Sequence, residues 1–187
     1  MPQHLSTSFA AALLVCAALG CQAAARAQAL PPTPAPVTET QEIEKLVRER
    51  KYDDALKRLD ALLAKTPRNA QARFLRGLVL AETGRSAEAT AAFEAMTQEF
   101  PELPEPYNNL AVIHAAAGRY DTARALLLRA IDVAPNYITA QENLGDLYLA
   151  IAADVYARAL KLDPNNAALK AKLQLARDAS ARLRAAR

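Results

Sequence analysis

Three prolines in the middle of the chain, Pro67, Pro101 and Pro135, are evenly spaced, since the interval from 67 to 101 equals that from 101 to 135. Each of them follows a stretch in which apolar residues recur at helical spacing. Because proline cannot continue a helix, each one marks the end of a helix. A fixed period of a few tens of residues is typical of repeat proteins, in which stacked units bury a continuous core. The spacing therefore predicts a stack of helical units.

Other residue types keep the same register. An alanine recurs at a fixed distance before each proline, a bulky apolar residue recurs one helical turn later, and a glycine recurs ahead of the second and third prolines. These residues are Ala55, Ala89 and Ala123, then Leu59, Phe93 and Leu127, then Gly84 and Gly118. Glycine at the last two positions can adopt a left-handed φ where a helix ends. The 5 glycines of the chain form no G-x-G pair, which argues against a nucleotide-binding enzyme.

The stretches RKYDDALKRLDALLAKTP, GRSAEATAAFEAMTQEFP and GRYDTARALLLRAIDVAP resemble the tetratricopeptide repeat family. That family places small residues where two helices cross, and the matching residues here are Gly77 with Ala89, Ala111 with Ala123, and Gly145. The resemblance implies an all-α fold, a right-handed α-solenoid of antiparallel helix pairs, and a non-catalytic role in binding proteins. The implied units of this domain, 39–187, are 39–69, 70–103, 104–137 and 138–166, with a capping helix over 167–185.

The fourth unit breaks the period, because Pro164 comes five positions too early after Pro135. The missing residues fall after Ala150, where the other units have the turn between their two helices. No helix breaker interrupts the apolar stripe at this place, so we predict one continuous helix over 138–162. Its second half should project from the stack, and residues 151–185 would form a hairpin that covers the array's end or pairs with a second copy. The last helix has an apolar face of Leu169, Leu173, Leu175 and Ala176.

The N-terminal apolar run at 9–19 is too short to span a bilayer and is typical of a secretory signal peptide. Small residues predict cleavage after Ala27 or Ala29, which assigns residues 1–27 to the signal peptide. Residues 28–38 are rich in proline, which indicates an extended linker. The first helix should start at Thr38, with Gln41 as its capping-box partner.

A second processing route would start at Cys21, because Ala18-Leu19-Gly20 before it resembles a bacterial lipobox. Lipid on Cys21 would make the chain an outer-membrane lipoprotein and an assembly factor. Cleavage after Ala27 would instead give a periplasmic or secreted bacterial protein without cysteine, hence without disulfides or thiolate metal ligands. An unprocessed N-terminus would indicate an intracellular scaffold.

The sequence offers no catalytic constellation. His114 is the one histidine beyond the N-terminal run, and it occupies a packing position, which favours a buried, hydrogen-bonded histidine. Asp53 and Asp54 are adjacent on a helix and point in different directions, as expected of solvated helix-start charges. We therefore predict no enzyme activity, no metal and no cofactor. An accessory subunit of an envelope enzyme is the alternative.

In the tetratricopeptide family the first helix of each unit lines an inner groove. The positions carried over to this chain are Phe74, Leu78, Glu82, Glu105, Asn108, Asn109, Val112, Glu142, Asn143 and Asp146. This mixture of apolar and acidic residues predicts a partner peptide or helix with apolar and basic side chains. Asn109 and Asn143 match an asparagine that often grips the ligand backbone in relatives; alternatively they bond neighbouring helices.

Charge is divided unevenly along the chain. Residues 167–187 carry six basic residues and one acidic residue, whereas acidic residues outnumber basic ones over 28–166. The basic last helix offers a contact to anionic lipid, or it simply complements the helix C-terminus and aids solubility. This segment has no aromatic residue, and we expect no nucleic-acid binding.

Overall fold

The computed structural model describes residues 38–185, with the side chains of 38–182. The predicted signal peptide, most of the linker and Cys21 lie outside the described residues. The described part is entirely α-helical apart from turns. No helix in it is long and apolar enough to cross a membrane. The helices are α1 (Glu39–Arg48), α2 (Tyr52–Lys65), α3 (Ala70–Glu82), α4 (Ser86–Glu99), α5 (Pro104–Ala116), α6 (Tyr120–Val133), α7 (Ile138–Leu162) and α8 (Ala167–Ala185).

Each helix packs mainly on its neighbours in the sequence, which is the arrangement of a solenoid. The first helix begins as predicted: Thr38 accepts a hydrogen bond from the backbone of Gln41, and the Gln41 side chain accepts one from the backbone of Thr38. The predicted all-α solenoid is therefore confirmed.

The turns between the two helices of the first three units share one geometry. Gly84 and Gly118 have φ of 75° and 73°, as predicted for left-handed turn residues. The residue after each glycine donates its N–H to a carbonyl five residues back, from Arg85 to Leu80 in the second unit. In the first unit the same position, one period before Gly84, is held by Arg50, whose φ is 57°.

Arg50→Gly should stabilise the protein. A side chain with a Cβ in the left-handed region costs about 1–2 kcal/mol, and glycine avoids part of that cost while adding unfolded-state entropy. We expect a net gain of about 1 kcal/mol in the free energy of unfolding, measured by urea denaturation. Gly118→Ala, at the matching turn, should lower it by a similar amount. A loss of stability in Arg50→Gly would contradict the strain at this turn.

Close helix crossing in the second unit depends on Gly77. A Cβ built on Gly77 would lie 2.6 Å from Cε1 of Phe93, which is fully buried on α4. Phe93 also packs against the ring of Phe74, with centroids 5.8 Å apart. In the third unit Ala111 and Ala123 are both fully buried. The small residues predicted at these two crossings therefore allow the paired helices to approach. Gly145 was wrongly predicted as a third crossing residue: α7 continues past it, and no neighbouring helix among the described residues comes within 4 Å of a Cβ built on it.

In each turn between units, a side chain that the sequence pattern did not reveal forms a hydrogen bond to the backbone. Arg73, Tyr107 and Gln141 stand one period apart, and each donates a hydrogen bond to the carbonyl of the proline six residues before it. The distances are 2.7, 3.4 and 2.7 Å. Three chemically different side chains thus satisfy the same backbone acceptor.

Helix α7 runs without a break from Ile138 to Leu162, as predicted for the shortened fourth unit. Its first half packs on α5 and α6, and its second half packs against α8, which caps the array. Leu173 and Ala176 of α8 are buried, as the predicted apolar face requires. Leu175 was wrongly assigned to that face: it is 72% exposed, because it lies two residues past Leu173 and so points away from α7.

Candidate functional site

A first depression of about 660 Å³ opens between α3, α4 and α5. Four of the predicted groove residues line it: Leu78, Glu82, Asn109 and Val112. The start of α4 and the turn before α6 add polar residues that the repeat pattern did not single out, namely Ser86, Thr90 and Arg119. Arg119 could have been found from its place directly after a turn glycine, the position that Arg85 holds one unit earlier.

A second depression of about 270 Å³ lies between α5, α6 and α7. Val112, Asn143 and Asp146 line it together with Tyr120 and buried Leu147. Val112 is exposed and belongs to both depressions, so the two are adjacent. Five different helices thus contribute to one strip of concave surface.

The remaining predicted residues lie beside these depressions. Phe74 is half-buried against Phe93 and supports the floor of the first. Glu105, in the first turn of α5, is half-buried, and Glu142 on α7 is exposed. Burial and the charge of Glu105 raise the pKa of Tyr137, at the start of α7. Glu105 thus faces the junction between the third and fourth units.

The three asparagines are held by hydrogen bonds within the protein. Asn143 on α7 donates its side-chain amide to Oδ1 of Asn108 on α5, at 2.8 Å, and Asn108 is buried. Asn109 donates to the backbone carbonyl of Glu105, one turn earlier in α5. Asn108 thus joins two units from below the surface. The sequence left open whether Asn109 and Asn143 face a ligand or bond neighbouring helices. Asn143 bonds a neighbouring helix, whereas Asn109 bonds its own helix.

His114 is half-buried, less than its packing position suggested, and its Nδ1 accepts a hydrogen bond of 2.9 Å from Nε of Arg119. Burial and the adjacent guanidinium lower the pKa of His114, partly offset by Glu94. The unfolded chain therefore binds this proton more tightly than the folded protein. The resulting stability is present above the ordinary histidine pKa of about 6.5 and is lost as the pH falls below it.

Arg119→Ala should raise the pKa of His114 towards its ordinary value. The substitution removes a positive charge that opposes protonation and a donor that favours the neutral ring. An NMR titration of the His114 ring resonances measures the change. Arg124→Ala, which removes an arginine paired with Asp121, serves as the control and should leave this pKa unchanged. A lowered pKa in Arg119→Ala would contradict the contact.

The described side chains that line the two depressions are mainly apolar. In residues 38–182 no three His, Cys, Asp or Glu side chains converge as metal ligands would. Asp53 and Asp54 are exposed in the first turn of α2, where they complement the helix dipole. What the concave strip offers a partner is apolar contact at Leu78 and Val112 and negative charge beside it.

Two family models, both described as tetratricopeptide repeat, match residues 41–104 and 80–147. Together they span more than half of the chain, over α1 to the middle of α7. The helix pairs, the crossing residues and the left-handed turns agree with these matches. The chain belongs to the tetratricopeptide repeat family, whose members generally serve as non-catalytic interaction modules.

Individual relatives share the repeats over part of their length. The "Tetratricopeptide repeat domain-containing protein PYG7, chloroplastic" of Arabidopsis thaliana is 34% identical over 70 residues, which are 35% of this chain and 23% of that protein. YrrB, described as "a TPR protein with an unusual peptide-binding site", is 27% identical with a TM-score of 0.52, over 56% of this chain and 54% of its own. This chain thus spans well under two thirds of both.

A third likeness concerns the fold alone. The "First TPR of Spaghetti (RPAP3) bound to HSP90 peptide SRMEEVD" is 18% identical, with a TM-score of 0.56. The match covers 61% of this chain and 90% of that chain. It shows that the helix pairs of this protein stack as they do in a solved tetratricopeptide domain.

Proposed function

We propose that the protein is a non-catalytic scaffold that binds a protein segment along its concave strip. The observation that carries the proposal is the pair of adjacent depressions meeting at Val112. An extended peptide or a short helix laid across them would contact α3, α5 and α7 in turn. The family membership and the peptide-binding site named for YrrB support this proposal.

The chemistry of the strip favours a partner with apolar and basic side chains. Leu78 and Val112 offer apolar contact, and Glu82 and Glu142 place exposed carboxylates beside it. Complementary charge raises the association rate and selects against acidic partners. Arg119 is the basic residue that lines the first depression, and its Nε is engaged with His114.

Synthetic peptides test this partner class directly. We expect a fluorescent peptide of alternating leucine and lysine to bind more tightly than a leucine–glutamate peptide or a serine–lysine peptide of equal length. Glu82→Lys combined with Glu142→Lys should weaken binding of the leucine–lysine peptide by about tenfold, since each reversal costs roughly 0.5–1 kcal/mol at an exposed site. Fluorescence anisotropy at two salt concentrations measures both effects.

The matched control reverses two carboxylates elsewhere. Asp54 and Glu102 are exposed at a helix start and a turn and line neither depression. Asp54→Lys combined with Glu102→Lys changes the net charge equally, and binding should stay within about twofold of the unaltered protein. Tight binding of the leucine–glutamate peptide, or equal losses in both double variants, would exclude this groove chemistry.

We further propose that the scaffold acts in the cell envelope. The support is the apolar run at 9–19 and the small residues around Ala27 and Ala29. The mature N-terminus of protein from a periplasmic fraction should be Gln28 or Leu30 by mass spectrometry. Lipid on an N-terminal Cys21 would favour the lipoprotein alternative, and an intact Met1 in the cytoplasm would exclude export.

A further inference from the structure

One face of α7 carries an uncovered apolar seam. The seam consists of Ile138, Gly145, Tyr148, Ala152, Val155, Ala159 and Leu162. From Gly145 onward its members alternate at spacings of three and four residues, which is the heptad pattern of helices that pair side by side. The bulky members are open to solvent: Ile138 is 67% exposed, Val155 43% and Leu162 89%. The seam contains no charged residue.

The repeat register shows what is missing from this face. Gly145 holds the position of Gly77, which in the second unit is covered by Phe93 of the following helix. In the fourth unit the residue that corresponds to Phe93 is Tyr156, and the one that corresponds to Ala89 is Ala152. Both lie further along the same straight helix and cannot fold back onto Gly145. Consequently no neighbouring helix among the described residues comes within 4 Å of a Cβ built on Gly145.

We propose that a second copy of the chain supplies this missing helix, with the two α7 helices packed antiparallel about a two-fold axis near Ala150. In this register Gly145 faces Val155 of the other copy, Ala152 faces Tyr148, and Ile138 faces Leu162. The first two of these pairs each join a small residue to a larger one, and the two-fold axis repeats each pair on its other side. Such self-complementarity is the requirement of a two-fold symmetric interface.

The surroundings of α7 leave room for that helix. Leu147 is buried on the side of α7 that faces α6, and Ala153 faces α8 across a depression. At about 100° per residue around the helix axis, the seam lies roughly a third of a turn from each of them.

In this register Glu142 of one copy is level with Arg158 of the other, which is an opposite charge. Asp146 is level with Asp154, but at about 100° per residue both lie more than a third of a turn from the seam and so do not meet across it. The paired segment would be about 36 Å long.

Analytical ultracentrifugation of the full chain tests the dimer. We expect a mass of twice the 20.2 kDa chain at micromolar concentration. Val155→Glu should weaken dimerisation by about 100-fold or more, because symmetry places two carboxylates in the apolar contact. Leu175→Glu removes a more exposed leucine on α8, outside the seam, and should leave the dimer intact. A monomeric chain, or equal effects of the two variants, would overturn the proposal.

Cross-linking tests the antiparallel register. The test variant combines Gly145→Cys with Val155→Cys in a chain whose Cys16 and Cys21 are replaced by serine. This variant should give a covalent dimer on mild oxidation. Within one helix the two cysteines are about 15 Å apart and cannot form a bridge. Gly145→Cys with Ala171→Cys, the second cysteine exposed on α8, is the control and should stay monomeric in non-reducing electrophoresis. Equal cross-linking in both variants would exclude the proposed seam. Neither experiment depends on the concave strip, so the two proposals can fail separately.

Discussion

Gly77→Ala should destabilise the protein by about 2 kcal/mol, whereas the same substitution at Gly145 should stabilise it by about 1 kcal/mol. The two glycines hold the same repeat position in α3 and α7. Alanine improves helix propensity at both. At Gly77 its Cβ would overlap the buried ring of Phe93, and the strain of overpacking exceeds that gain. At Gly145 the described residues leave open space.

Chemical denaturation of the two variants beside the unaltered protein measures this difference. Gly145→Ala is compatible with the proposed dimer, because the other small seam residues, Ala152 and Ala159, already carry a Cβ. The measurement is made at low protein concentration, where a dimer contributes little to the free energy of unfolding. Losses of equal size at both positions would show that α7 is crossed by a helix as α3 is, and would contradict the continuous α7.

Restoring the missing turn should convert α7 into a helix pair. Inserting Ala-Gly-Arg-Tyr-Asp, the sequence of residues 117–121, between Ala150 and Ile151 returns Pro164 to its regular distance from Pro135 and places the turn glycine in register. The second half of α7 can then fold onto the first, where Tyr156 would cover Gly145 as Phe93 covers Gly77. We expect the dimer to be lost, because the chain then supplies the covering helix itself.

Spin labels at Thr139 and Lys161, both exposed, report the change. In the continuous helix their Cα atoms are about 33 Å apart, and in a folded-back pair they fall to roughly 10–15 Å. Insertion of five alanines at the same place adds length without a turn and should increase the separation to about 40 Å. Dilution with unlabelled chain removes distances between copies. An unchanged separation after the turn insertion would contradict this account of the deletion.

The fold was largely predictable because its determinants are local and repeated. The proline spacing, the turn glycines at Gly84 and Gly118, and the absence of a helix breaker after Ala150 each act within a few residues. Their effects do not depend on distant contacts. The continuous helix over 138–162 followed from a deletion whose length and place the period defined.

Arg50 stands one period before Gly84, so its left-handed φ also follows from the repeat. It was missed because arginine, unlike glycine, does not indicate a left-handed turn position. Arg73, Tyr107 and Gln141 likewise have no chemical likeness, although all three are donors long enough to reach the same carbonyl. Such roles depend on three-dimensional reach, which a comparison of residue types does not contain.

The candidate site was predictable as a set of positions and less so as a surface. The resemblance to the tetratricopeptide family placed Leu78 and Val112 at equivalent groove positions one period apart, and both line the first depression. Whether an asparagine faces a partner or another helix depends on neighbours in space. Asn108 proved to be buried beneath Asn143, a bond between two different units. Ser86, Thr90 and Arg119 enter from segments that the position rule did not include.

Binding along the concave strip can be tested by an NMR titration. The leucine–lysine peptide is added to ¹⁵N-labelled protein, and backbone amide shifts are followed residue by residue. We expect the largest changes at five residues of the strip, namely Leu78, Glu82, Asn109, Val112 and Asp146. Changes confined to the separate depression lined by Asp60, Pro67 and Arg76, or no saturable change anywhere, would contradict it.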